Sequence, residues 1–74
     1  MATPFQVKLD ADANALYFRI TDRRVARTIE LEALVLLDVD EDGEPVGLEF
    51  VDADEFVPFM RRHGGTFDLA ATVA

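Results

Sequence analysis

Apolar and polar residues alternate most regularly between Leu34 and Val51, where Val35, Leu37 and Val39 form one row and Val46, Leu48 and Phe50 form another. A period of two marks half-buried strands, and the acidic segment Asp40-Glu41-Asp42-Gly43-Glu44-Pro45 between the rows marks a turn. A tight Asp42-Gly43 turn sets Val39 opposite Val46, Leu37 opposite Leu48 and Val35 opposite Phe50, giving one continuous apolar face. A loop of odd length would set Leu37 against Gly47 unless a bulge corrected it, so the pattern predicts an even loop.

The same period recurs upstream. Phe5, Val7 and Leu9 alternate with Gln6, Lys8 and Asp10, and Leu16, Phe18 and Ile20 alternate with Tyr17 and Arg19. Between them, Asp10-Ala11-Asp12-Ala13-Asn14 is rich in side chains that bond their own backbone and tolerate left-handed conformations. A second hairpin follows, with Leu9 opposite Leu16 and Val7 opposite Phe18. After the polar Thr21-Asp22-Arg23-Arg24, the residues Val25, Arg27, Ile29 and Leu31 share one face of a third strand. Arg27 interrupts that row, which suits an edge strand, or a bulge that lets the guanidinium reach water or a carboxylate. Glu30-Leu31-Glu32-Ala33 also reads as a helical turn, but Thr28 and Ile29 favour the strand.

Downstream the period changes. Asp52 and Glu55 have capping-box spacing, and Phe56, Phe59, Met60 and His63 fall on one helical face. Arg61 and Arg62 suit the end of the helix dipole, and Gly64-Gly65 suits a C-cap. Pro58 is tolerated only in a first turn, so the helix begins near Asp54 to Val57 or kinks there. Thr66 to Ala74 is short, apolar and uncapped; an edge strand, a segment crossing to a partner and a disordered tail all fit it. The expectation is one α+β domain over 1–74, with its core in 5–63 and a tail at 66–74. Its architecture is a five-stranded antiparallel β meander with one C-terminal helix, Asp54 to His63, packed on the sheet or on a partner subunit.

Size changes this picture. Ordering costs roughly 1.5 kcal/mol per residue, which in so short a chain about cancels what one core supplies. Without cysteine there is no disulfide or thiolate metal site, so a second copy is the expected staple and a reducing cytoplasm the expected compartment. The net charge of -8, from 15 acidic and seven basic residues, argues against nucleic acid and anionic membranes and suits a basic protein partner. No basic leader or apolar run of membrane-spanning length is apparent.

Candidate chemistry is sparse. Asp38, Asp40, Asp42, Gly43 and Glu49 satisfy the calcium-loop pattern D-x-[DN]-x-[DN]-G-x5-E, in which carboxylates wrap a hard cation between two helices. Here the flanks are strands, and the same letters serve a hairpin turn. Asp38, Asp40, Asp42 and Glu49 are therefore weak cation candidates, and no metal or other cofactor is expected. With no Cys, no Ser and a single His63 at a helix end, nucleophilic catalysis has no foundation. Solvated carboxylates offer no split environments for acid-base work, so no enzyme activity is expected. Tyr17 and the pairs Arg23-Arg24 and Arg61-Arg62 read as solvated surface rather than ligand contacts. Phe56, Phe59 and Met60 are the expected partner-binding residues.

Several segments occur together and in order: Val7-Lys8-Leu9-Asp10, Asp12-Ala13-Asn14-Ala15-Leu16-Tyr17-Phe18-Arg19-Ile20, Val25-Ala26-Arg27-Thr28, Leu37-Asp38-Val39-Asp40-Glu41-Asp42-Gly43 and Val46-Gly47-Leu48-Glu49-Phe50-Val51-Asp52-Ala53. Over Val7 to Ala53 the chain resembles the DUF2283 family of small prokaryotic proteins. It departs in having Asn14 where that family usually has Asp, and in continuing past Ala53. The resemblance implies a compact antiparallel β domain with no established activity, an antitoxin-like partnership with a small protein, and no functional residues to carry over. The function expected is a non-enzymatic, homodimeric protein-interaction module; the alternative is a cation-binding or sensing domain.

Overall fold

In the computed structural model, which describes residues 5–69, five antiparallel strands form one sheet: β1 (Gln6–Asp10), β2 (Ala15–Arg19), β3 (Arg27–Glu32), β4 (Val35–Val39) and β5 (Pro45–Phe50). The β1–β2 hairpin has the predicted register, with Val7 opposite Phe18 and Leu9 opposite Leu16. Asp10 holds its turn by accepting the N–H groups of Asp12 and Ala13, both at 3.1 Å, and Asn14 closes it at φ 52°.

The strand order, β1-β2-β5-β4-β3, corrects the expected meander. β2 pairs with β5 rather than β3, and residues 20–26 cross the end of the sheet to start β3 at the far edge. Strands β3 to β5 then return as successive hairpins, a Greek-key path. Charge distribution accounts for this. The strand carrying Arg27, Glu30 and Glu32 takes an edge where water solvates it, and β5, buried from Pro45 to Leu48, takes the centre. β3 is also bulged between Glu30 and Glu32, away from Arg27.

The β4–β5 turn departs from the tight even loop. Asp40 N–H donates to the Glu44 carbonyl (2.9 Å) and Gly43 N–H to the Asp40 carbonyl (3.0 Å), enclosing the three-residue loop Glu41-Asp42-Gly43 with Gly43 at φ 83°. Such loops combine a turn with a left-handed glycine. The odd count is corrected by a bulge at Val46: Val39 pairs with Pro45, Asp38 with Gly47, and the predicted pairs Leu37–Leu48 and Val35–Phe50 are restored.

Val35, Leu37, Val39, Leu48 and Phe50 form the buried sheet face, joined by Leu16, Phe18 and Leu31. Over it lies a 3-10 turn at Ala53–Glu55 running into helix α1 (Phe56–Arg62). Pro58 is thus in the first turn of α1, where its missing N–H has no helical partner to lose. Asp52 caps the entering turn by accepting from Asp54 N–H at 3.0 Å, and Asn14 Nδ2 donates to the same carboxylate at 2.9 Å. Glu55 does not complete a capping box; it accepts from Arg62 instead, at 2.9 Å. α1 ends in a Schellman motif: Gly65 N–H reaches the Met60 carbonyl and Gly64 N–H that of Arg61, with Gly64 at φ 71°. Phe67 and Leu69 then pack on the core, without a strand over 66–69; the rest of the expected tail, 70–74, lies outside the described residues. No helix among the described residues is long and apolar enough to cross a membrane.

Two residues, Ala33 and Leu34, join β3 to β4, and Leu34 takes φ 67°. A left-handed L-residue costs about 1–2 kcal/mol, and only Gly, Asn or Asp adopt it readily. Leu34→Asn should therefore raise stability by about 0.5–1 kcal/mol in thermal melts, and Leu34→Val, β-branched at the same φ, should lower it.

Candidate functional site

Asp40 is the one buried charged residue at the acidic turn, 4% exposed. Its Oδ1 accepts the N–H groups of Asp42 and Glu44, each at 2.9 Å, which satisfies donors the loop would otherwise orphan. Its Oδ2 accepts from Arg23 Nη1 at 2.7 Å. Arg23 lies in the crossing segment, which is further fixed by Arg19 donating to the Thr21 and Arg23 carbonyls and by Ala26 N–H donating to Val39. The carboxylate therefore ties the turn to the chain that crosses past it. The Arg23 guanidinium, followed by the Glu44 N–H, holds the Asp40 carboxyl below its usual range. Beside the pair is an open hollow of about 360 Å³ lined by Arg23, Arg24, Ala26, Asp40, Glu41 and Asp42, of mixed charge.

On the sheet face opposite the helix, one row of side chains runs across four strands. Tyr17 of β2 lies over Gly47 of β5 and donates to Asp38 Oδ2 of β4 at 2.8 Å; Thr28 of β3 donates to Asp38 Oδ1 at 2.6 Å. Gly47 makes the crossing possible. A Cβ there would overlap the Tyr17 hydroxyl, stand 2.5 Å from its Cζ and 3.0 Å from the Phe18 carbonyl oxygen. Burial, then the hydrogen bond to Asp38, pushes the Tyr17 phenol up to about 12.

These bonds involve two of the four cation candidates. Asp38 is engaged by Tyr17 and Thr28, Asp40 by Arg23 and two amides, and Asp42 is an exposed side chain 3.9 Å from Arg23. Glu49 pairs in register with Tyr17 and Leu36 on the outer face. Among the described residues no group of three or more His, Cys, Asp or Glu side chains gathers around a possible ion. Tyr17, Arg23 and Arg62, read from sequence as solvated surface, are cross-links within the chain. Arg62 donates to Glu32 at 2.7 Å and to Glu55, and His63 Nε2 lies 2.7 Å from the second Glu32 oxygen. His63 and Arg62 bind the end of α1 to the edge strand β3, and their hydrogen bonds, that of His63 foremost, hold the Glu32 carboxyl below its usual range.

The helix residues expected to meet a partner pack on the chain's own sheet. Phe59 is fully buried against Phe50 and Phe67, with ring centroids at 5.2 and 4.9 Å; Phe56 packs on Phe18 and Phe50, and Met60 joins the same core. The apolar surface left open is elsewhere. Phe5, Val7 and Leu9 stand 66%, 57% and 61% exposed, although Val7 and Leu9 pair with Phe18 and Leu16 and so belong to the face that α1 covers. α1 runs from Phe18 on β2 to Glu32 on β3 and does not reach β1. Alternation finds such a strand but cannot tell a covered one from an uncovered one, so nothing in the sequence singled it out.

A family model described as a protein of unknown function, DUF2283, matches residues 6–53. The chain belongs to the DUF2283 family. The match takes in all five strands, the Asp40 turn and the Tyr17–Asp38 row of this DUF2283 chain, and stops at the first residue of the 3-10 turn, leaving α1 outside. No curated protein and no solved structure matches the chain.

Two titrations test the cross-links. Asp40, with its folded value lowered, stabilises the fold above the usual 3.8, and that contribution is lost as pH falls through the lowered value. Melting temperature against pH should therefore fall less steeply on the acid side for Asp40→Asn than for wild type. Tyr17, with its value raised from 10.0 to about 12, stabilises below pH 10 and ceases to do so as pH rises through about 12. As the single tyrosine, it can be followed alone by tyrosinate absorbance. The midpoint should drop toward 10 in Asp38→Ala and in Gly47→Ala, and Gly47→Ala should also cost about 1–3 kcal/mol by overpacking.

Proposed function

We propose that this protein is a non-enzymatic interaction module of the cytoplasm that associates with a second copy of itself and presents an acidic surface to a basic, toxin-like protein partner. The observation that carries the reading is the apolar row Phe5, Val7 and Leu9, left uncovered on the face that the rest of the sheet uses as its core. Apolar patches of this kind mark contact surfaces, and a chain of 74 residues gains most from added burial. The net charge of -8 supports the second half of the reading: a field of one sign speeds encounter with a partner of the other. Asp42, an exposed side chain at the turn, and Glu41 beside it belong to that acidic surface.

The cation alternative has the letter pattern in its favour and oxygens already engaged by Tyr17, Thr28, Arg23 and loop amides against it. Millimolar calcium is accordingly expected to leave the melting temperature unchanged. Light scattering across a concentration series tests the leading reading: the mass should approach twice 8.2 kDa as concentration rises. A monomer throughout the series would sink it.

A further inference from the structure

We infer that the second copy binds by a two-fold lap joint, in which the uncovered faces of β1 stack on one another and each copy's α1 fills the level beside its partner's sheet. The inference rests on the self-association proposed above and assigns it a surface.

The sheet margin has the shape of a step. β1 is the tread, with Val7 and Leu9 on the helix side, Phe5 just ahead of the strand, and all three exposed to water. The riser is the β2 end of α1, where Phe56 packs on Phe18 and the neighbouring Val57 is 54% exposed. A helix is about 10–12 Å across, and stacked sheets lie about 10 Å apart, so tread and riser differ by one layer. A two-fold rotation turns such a step into its own complement. The partner's β1 then lies above the first copy's β1, at the level of α1, and the same residues meet on both sides, as an isologous interface requires.

Area and charge agree. Covering Phe5, Val7 and Leu9 removes on the order of 300 Å² per copy. With the remaining surface of Leu16, Phe18 and Val57, the two copies together approach the ~1,000 Å² expected of a specific contact. β1 itself carries no net charge, since Lys8 and Asp10 offset one another, and both alternate with the apolar row. The acidic β4–β5 turn is held against Arg23, and β2 lies between β5 and β1. Edge-to-edge pairing of the two β1 strands would set the apolar rows side by side and leave both open to water, whereas stacking covers them.

Sedimentation equilibrium on the full chain tests this with Val7→Glu, Leu9→Glu and, on the opposite face, Lys8→Gln. The glutamates are expected to weaken the dimer at least 100-fold and Lys8→Gln to change it less than threefold. Phe5→Ser, a milder change at the end of the strand, should weaken it measurably if either glutamate variant fails to fold. A wild-type dimer that Val7→Glu and Phe5→Ser leave intact overturns the lap joint while the self-association reading stands; a wild-type monomer overturns both. Amide exchange supplies the remaining arm: protection of the outward β1 amides in the dimer means edge pairing and overturns stacking.

Discussion

The buried carboxylate of Asp40 is the constraint on which the sheet's arrangement depends. A three-residue loop leaves amides that need acceptors, and Asp40 supplies one oxygen to two of them. Its other oxygen takes the Arg23 guanidinium, so the segment that crosses from β2 to the far edge is held to the same turn. An uncompensated charge at this burial would be costly, and here it is met by one cation and two amides. Because the loop is odd, the register has to be restored by the bulge at Val46, and Val46 in turn accepts the Ile20 N–H that begins the crossing. Turn, bulge and crossing are therefore one arrangement.

That arrangement explains which parts of the fold were legible. The pairs Leu37–Leu48, Val35–Phe50, Val7–Phe18 and Leu9–Leu16 follow from alternation, because a one-residue slip would turn every apolar side chain outward. The loop length did not follow, since a tight turn and a longer loop with a bulge give the same inner pairs. Strand order was also beyond reach of local pattern. It is decided by competition between β3 and β5 for the place beside β2, and the charges on β3 matter only in that comparison. The Tyr17–Asp38 bond was hidden for a related reason: Tyr17 and Asp38 are neighbours only when β5 lies between their strands, and Gly47 signals the close approach only once that is known.

Glycine at 47 and tyrosine at 17 also show how an outer face without a second layer is kept ordered. The hydroxyl end of the ring passes over Gly47 of the central strand and reaches Asp38 on the next one, so a single side chain covers backbone at Gly47. Asp38 receives two donors, from β2 and β3, and so links strands that never touch. A cation site would need those same oxygens free. In the string of letters that satisfies a calcium loop, Asp38 and Asp40 serve as structural acceptors, engaged by Tyr17 and Thr28 and by Arg23 and two loop amides.

The inner face is covered by different means. Residues 6–53, the extent of the DUF2283 match, contain the five strands of the described residues but not Phe59, which lies fully buried against Phe50. The matched portion is therefore a sheet with one apolar face, and the closure of that face comes from residues beyond it. α1 is seven residues long, or about 10 Å at 1.5 Å per residue, and neighbouring strands are about 4.8 Å apart. Bound to β3 through Glu32 and seated on Phe18, a helix of that length cannot also span β1. Lengthening it toward β1 is blocked by the Asp52 cap, which Asn14 holds at the end of the first hairpin. The uncovered strand follows from where the helix is anchored at its two ends, and a cover for β1 has to come from outside the sheet's own helix.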